Sequence, residues 1–296
     1  MSKLKEIVIL SGKGGTGKTT VASSLAAIMD NVVIADADVD AANMHILLKP
    51  EIIREEDFRG KSIAIIDNDI CTSCDICRNL CRFGAIDVID GEYVVDEISC
   101  DGCTLCEVAC PVDAIRMEGQ IVGKWFLSTT EYGDFVYAKL NPGAENSGNL
   151  VTMVKHQSKR LAEERGIDKI LIDGPPGIGC PVTSSLSGAF LSILVTEPTF
   201  SGMSDLDRII KLTRHFNVVT GIVINRYDIN IENSKKIEEI AKEKGIEVFA
   251  KIPHSHCILD EITNREIPVF KCKELRTEID KIINKINQYI EDRNES

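Results

Sequence analysis

The chain has 296 residues, enough to bury a substantial core as one large domain or two unequal ones. Hydrophobic residues make up 44%, aromatics only 5%, and the formal charge is −12; this points to an aliphatic α/β core and against a DNA partner, whose phosphates need a basic face. No run approaches the ~18 apolar residues of a membrane span, and "MSKLKEIVIL" lacks the apolar core and cleavage site of a signal peptide, so a cytoplasmic protein without stable membrane association is expected.

The first element is a short buried strand, "EIVIL", followed by "GKGGTGKT" at Gly12–Thr19 and then "KTTVASSLAAIM", a helix with apolar residues at Val21, Leu25, Ile28 and Met29. Strand, glycine loop and helix in that order fit a phosphate-binding loop. Backbone N–H groups of such a loop turn inward, and the helix N-terminus adds positive potential. The candidate nucleotide contacts are Gly12, Gly14, Gly15, Thr16, Gly17, Lys18, Thr19 and Thr20. Lys18 is expected to pair with the β- and γ-phosphates and Thr19 to hold Mg²⁺. A second strand, Val32–Ala35, ends in Asp36, Asp38 and Asp40, at the edge where open α/β sheets bind ligands. One of the three is expected to orient the attacking or Mg²⁺-bound water, and Asp38 is favoured.

Lys13, just after the first glycine, is a solvated surface charge or something more specific. With it the loop resembles the deviant phosphate loop of the MinD/ParA ATPases, a group that includes the nitrogenase iron protein. That resemblance implies an ATP-dependent homodimer in which Lys13 reaches the nucleotide of the partner subunit.

The chain next departs into a cysteine-rich stretch. Cys71, Cys74, Cys77 and Cys81 repeat 29 positions later as Cys100, Cys103, Cys106 and Cys110, both runs spaced C-x2-C-x2-C-x3-C. The echo extends to "GAIDV" after Cys81 and "DAIRM" after Cys110, so one supersecondary unit is duplicated across about residues 61–120. Structural zinc fits poorly, because zinc sites favour paired ligands from separated loops. The runs closely resemble bacterial two-cluster ferredoxins, in which the fourth cysteine of each run ligates the other cluster. The resemblance implies two [4Fe-4S] clusters, one on Cys71, Cys74, Cys77 and Cys110, the other on Cys100, Cys103, Cys106 and Cys81. Pro111 follows the second run as in the family, but Arg82 follows the first; a positive charge there is expected to raise the potential of one cluster.

Beyond the insert, "KWFLSTT" is read as the return to the sheet, and "LVTMVKHQSKRLAEERG" as a helix closed by Gly166. "KILIDGPPGIG" is an apolar strand ending in Asp173, "SILVTEPT" and "VVTGIVINRYD" are two more strands, and a helix over about Ile231–Lys244 precedes the strand "EVFAKIP". Alternation of this kind predicts a P-loop α/β fold with a mostly parallel, doubly wound sheet, carrying a small α+β ferredoxin domain between residues 1–60 and 121–296. The MinD/ParA resemblance covers residues 1–50 and 121–270. It implies that Asp173 holds Mg²⁺ through water and that Asn225 reads adenine, with Lys13, Lys18, Asp38 and Asp173 as the catalytic set.

Three cysteines remain. Cys180 lies seven residues after Asp173, at the separation where the nitrogenase iron protein carries a cluster ligand. The matching second cysteine is absent from "LNPGAENSGNL", which disfavours a four-thiolate bridge. A two-thiolate dimer contact, a docking ligand, or a small packed residue are the readings left. Cys257 sits in "PHSHC", whose His254 and His256 are read as loop residues near the adenine pocket. Cys272 precedes a helix with Leu275, Ile279, Ile282, Ile283 and Ile286 on one face, a stripe expected to pack on the sheet. Together these features suggest an ATP-gated electron-transfer protein delivering electrons to a redox partner. The alternative is an iron–sulfur carrier of Mrp type serving an apo-protein, and a MinD-like spatial organiser ranks third.

Overall fold

The computed structural model describes residues 4–144 and 148–294. In chain order the elements are β1 (Lys5–Ser11), α1 (Lys18–Ala26), β2 (Val33–Asp36), α2 (Met44–Leu48) and β3 (Glu51–Ile66). Next come α3 (Ile76–Leu80), β4 (Ile86–Ile89), β5 (Glu92–Val95), α4 (Leu105–Ala109), β6 (Ile115–Thr130) and β7 (Gly133–Leu140). The chain then runs through α5 (Asn149–Arg165), β8 (Lys169–Pro176), α6 (Cys180–Leu186), β9 (Leu191–Thr196), α7 (Phe200–His215) and β10 (Val219–Asn225). It closes with α8 (Ile231–Glu243), β11 (Glu247–Ile252), α9 (His256–Thr263) and α10 (Lys273–Asn294).

Among the described residues the main sheet has nine strands in the order β11-β10-β9-β1-β8-β2-β7-β6-β3. Strand β1 runs parallel to β8 and β9, and the parallel ladder continues through β10 and β11 on one side and β2 and β7 on the other. These strands are apolar along their length because helices cover both faces; every residue of β1 is buried. On one face Ile7, Ile9, Ile34, Leu171 and Ile193 pack with Leu25 of α1 and with Leu275, Ile279, Ile282 and Ile286 of α10. The C-terminal stripe therefore faces the core, as its spacing predicts.

Three strands depart from expectation. Strand β6 begins at Ile115, nine residues before the stretch read as the return, and neither β3 nor β7 was anticipated. Only Glu131 and Tyr132 separate β6 from β7, and the two are neighbours in the sheet, so they form a hairpin. The sheet is consequently mixed, its hairpin side antiparallel. Strand β3, "EIIREEDFRGKSIAII", is hard to read as a strand because its first seven residues are mostly exposed. It is an edge strand, where charges guard against pairing with other chains, and charge hides the apolar alternation that marks a strand.

The chain divides into two compact units, one of residues 1–56, 125–140 and 145–296, the other of 57–124 with 141–144. The expected insert was 61–120; the division falls inside β3 and β6. In the larger unit, Lys155 of α5 is buried with its Nζ 3.0 Å from Glu6 of β1, and it donates to the carbonyls of Ser185 and Ser187 at 2.6 and 2.7 Å. Burial pulls its pKa down, with Glu6 opposing. Lys155 thereby caps the C-terminal end of α6, whose orphan carbonyls need donors.

The smaller unit preserves its duplication in backbone detail. Ser73, Asp75 and Gly84 take positive φ, and so do Gly102, Thr104 and Asp113, each 29 residues later. Helices α3 and α4 obey the same offset, and β4 pairs antiparallel with β5. Ala85 and Ala114, from the "GAIDV" and "DAIRM" echoes, are both buried, as are Ile86 and Ile115.

Candidate functional site

The larger unit sets a cluster of polar residues at the carboxyl ends of its parallel strands, where the connections from β1 to β2 and from β8 to β9 run in opposite directions across the sheet and open a crevice. The loop after β1 turns through Gly15 and Gly17 with φ of 80° and 86°, a left-handed conformation that glycine adopts without penalty. A Cβ at Gly17 would fall on Asn225 Nδ2. Gly17→Ala is therefore expected to cost roughly 1–3 kcal/mol in backbone strain and to push Asn225 away. The readouts are a lower thermal midpoint and weaker MgADP binding by calorimetry; unchanged values would remove this role for Gly17.

Lys18 is the centre of charge. Its Nζ lies 2.8 Å from Asp173 Oδ1 and 3.2 Å from Asp38 Oδ2, while Thr19 Oγ1 donates to Asp173 Oδ2 at 2.7 Å. Burial works against the ammonium, but Asp173 and then Asp38 outweigh it, and its pKa rises. Four of the expected residues thus meet around one point.

The three acids after β2 have different surroundings. Asp36 is fully buried and accepts from the N–H of Asp38 and of Met44, both at 3.1 Å. Burial, and then the Asp173 charge, lift its pKa well above the usual carboxylate range. It organises the loop and the start of α2. Asp38 faces Lys18, and its Oδ1 is buried with no hydrogen-bond partner among the described residues. Burial raises its pKa against the pull of Lys18. Asp40 is exposed. Thr16 Oγ1, inside the glycine loop, is likewise buried without a partner.

A cavity of about 620 Å³ opens over this cluster, within the range of small-molecule sites. Gly14, Gly15, Gly17, Lys18, Thr19 and Thr20 line it, with Asp38 and Arg226. An adjoining recess shares Gly17, Thr20 and Arg226 and adds Asn225, Pro253, His254, Ser255 and Ile258. Asn225 Nδ2 donates to the Thr16 carbonyl at 2.8 Å; His254 lines the recess from a loop, whereas His256, also read as a loop residue, opens α9. Gly12 packs against Asp205 of α7.

Lys13 is half-exposed, 2.9 Å from Ser201 Oγ and 3.9 Å from Glu197 Oε2. Buried Glu197, just past β9, also holds Arg226 at 2.6 Å. Sequence reasoning missed Glu197 and Arg226. Their signal was position: each follows a parallel strand at the ligand edge, in "TEPT" and "INRY".

The eight cassette cysteines fall into two sets in the smaller unit. One cavity is lined by Cys71, Cys74, Cys77 and Cys110, with Tyr93 and Ile115 beside them. A second is lined by Cys81, Cys100, Cys103 and Cys106, with Phe83, Leu105 and Met117. Each set takes three thiols from one run and the fourth from the other. The last thiol of each run accepts a backbone N–H: Ala85 to Cys81 Sγ at 3.4 Å, Ala114 to Cys110 Sγ at 3.3 Å. Among the described residues no three His, Cys, Asp or Glu converge on a point that suits a single metal ion. Arg82 is exposed.

Cys180 is exposed at the first residue of α6. The "LNPGAENSGNL" stretch lies partly outside the described residues, since 145–147 are not described. Cys257 and Cys272, read separately from the sequence, form a disulfide across 15 residues. No helix among the described residues is long and apolar enough to cross a membrane.

The profile of the CobQ/CobB/MinD/ParA nucleotide-binding domain matches residues 7–269. An uncharacterised protein of Methanocaldococcus jannaschii is 30% identical over 293 residues, covering 97% of this chain and 98% of its own. The septum site-determining protein MinD of Thermotoga maritima is 23% identical, covering 89% and 80%. Among solved structures, MinD of Pyrococcus horikoshii complexed with Mg-ADP superposes with a TM-score of 0.56 at 19% identity, over 95% of each chain. The α/β P-loop architecture is shared with that structure, and by the match over most of its length the chain belongs to the CobQ/CobB/MinD/ParA family of nucleotide-binding ATPases.

Proposed function

We propose that this ATPase is an iron–sulfur protein that uses ATP to gate electron delivery. The observation that carries the reading is the division of eight cysteines into two cavities of four, three thiols of one run joined by the last of the other. Four thiolates suit a [4Fe-4S] cubane, and the exchange between runs is that of two-cluster ferredoxins. The donor set fits. Burial pushes the Cys77 and Cys106 thiols up, a cost that a cationic iron core offsets by holding thiolates. N–H donors to Cys81 and Cys110 add stabilisation of sulfur charge. When bound, such clusters supply one-electron redox chemistry; the chain's own part is to hold them and exclude water from their apolar cavities.

At the nucleotide site Lys18 would pair with phosphate oxygens, and Thr19 and Asp173 would hold Mg²⁺. The unpartnered Oδ1 of Asp38 is an acceptor suited to orienting a water proton. Hydrolysis then rests on positioning and charge rather than covalent chemistry. Lys13 would reach a second copy's nucleotide in a homodimer. The test is anaerobic purification followed by iron, acid-labile sulfide and ATPase assays. About eight irons and eight sulfides per chain, four of each per cubane, together with MgATP hydrolysis, are expected. Zinc without labile sulfide would overturn the redox half, and iron donated to an apo-protein would favour the carrier alternative.

A further inference from the structure

We propose that Cys257 and Cys272 form a redox-active pair whose state sets nucleotide affinity. The inference rests on the nucleotide site at the glycine loop and is independent of the iron–sulfur reading. The two residues stand behind different walls of that site, next to residues that line it. Cys257 is in the first turn of α9, and Ser255, just before that helix, and Ile258, within it, line the recess beside Gly17 and Asn225. Cys272 stands just before α10, and Leu275, one turn on, lines the same recess.

The bond ties the lightly buried α9 to the core-packed segment that leads into α10. Cys272, Leu275 and Val269 belong to the main core with Leu25 of α1, whereas α9 buries only Glu261 of its eight residues. Beyond the disulfide, α9 is held by the Glu261–Lys271 ion pair at 2.7 Å and by half-buried Ile258 packing on the core. A cross-link here holds the wall in its binding arrangement before the ligand arrives, so binding pays less ordering cost.

The chemistry is dithiol exchange. Cys257 is half-buried and Cys272 buried, so a thiolate of an external dithiol attacks Cys257 Sγ and expels Cys272 as a thiolate that takes a proton. The second thiol of the reagent then displaces Cys257, leaving two protein thiols and the oxidised cyclic reagent. Two electrons and two protons pass to the protein pair.

The expected effect is a rise in the MgADP dissociation constant on reduction, on the order of tenfold, the cost of ordering about one residue's backbone. Reciprocity then requires saturating MgADP to lower the midpoint potential of the pair by about 30 mV, the equivalent of tenfold for two electrons. Affinity is measured by calorimetry on the whole chain equilibrated in reduced or oxidised dithiothreitol. The state of the pair is assigned by alkylation and mass spectrometry, and the potential by titration in dithiol buffers. The double variant Cys257→Ser/Cys272→Ser should bind as the reduced protein does in both buffers. Equal affinities of the two states within twofold, a potential indifferent to MgADP, or a double variant that still responds to dithiol would each overturn the proposal. So would thiols at 257 and 272 that stay free in oxidised buffer.

Discussion

Lys18→Met should lower ATP hydrolysis by about three orders of magnitude, the upper range for removing one preorganised charge from a transition-state site. Its effect on folding is equally diagnostic. Methionine keeps the apolar stem and deletes the ammonium, leaving Asp38 and Asp173 facing each other beside Asp36 in a buried site. Breaking a buried ion pair from one side costs about 3–5 kcal/mol, expected as a lower urea midpoint of the ATPase unit at neutral pH. The penalty should fade with acid. Asp36 and Asp38 already have raised pKa values through burial, and losing Lys18 raises them further. A carboxyl with a raised folded pKa contributes stability that is complete below its unfolded value, about 4, and lost as pH rises through the folded value. The difference between wild type and variant should therefore narrow from pH 7 towards pH 4. Lys18→Met/Asp173→Asn should regain part of the stability and none of the activity. A variant as stable as wild type at pH 7 would mean that the lysine and its carboxylates are not coupled in this way.

Cys110→Ser carries the second large effect. Cys110 lines the cavity of Cys71, Cys74 and Cys77, not that of its sequence neighbours Cys103 and Cys106. Substitution should halve the iron content and remove the centre that Cys74→Ser also removes. The centre lost in Cys103→Ser should survive, and low-temperature electron paramagnetic resonance of the reduced protein distinguishes the two. If Cys110→Ser and Cys103→Ser instead abolish the same signal, each run ligates its own cluster and the exchange between runs is wrong.

Much of this molecule can be read before folding it, for specific reasons. The glycine loop with Lys18 and Thr19 is legible because phosphate binding demands fixed residue types at fixed spacing. Asp38 and Asp173 are reached through the MinD/ParA resemblance, and the fold brings these four side chains within hydrogen-bond distance. The cysteine repeat is legible because an offset of 29 survives in both sequence and backbone. What escapes notice depends on tertiary context. Strand β3 hides behind edge charges, and β7 behind the hairpin that pairs it. The separate functions of Asp36 and Asp38 follow from which backbone N–H groups each meets, and nothing in "ADADVD" announces it. Glu197 holding Arg226, Lys155 capping α6, and Cys257 meeting Cys272 join residues between 15 and 32 positions apart. No local pattern encodes such contacts.

In the proposed reading, nucleotide and cluster chemistry would be linked along the chain, because the smaller unit begins at Asp57, 19 residues after Asp38, and a segment answering to phosphate would lead into the cluster-bearing unit. The most direct test is the rate at which dithionite-reduced protein passes electrons to an acceptor in stopped-flow, compared without nucleotide, with MgADP and with MgATP. The account predicts a rate that rises with MgATP and returns to the unliganded value as ADP replaces it. The same rate in all three conditions, from protein that hydrolyses ATP and holds both clusters, would contradict it.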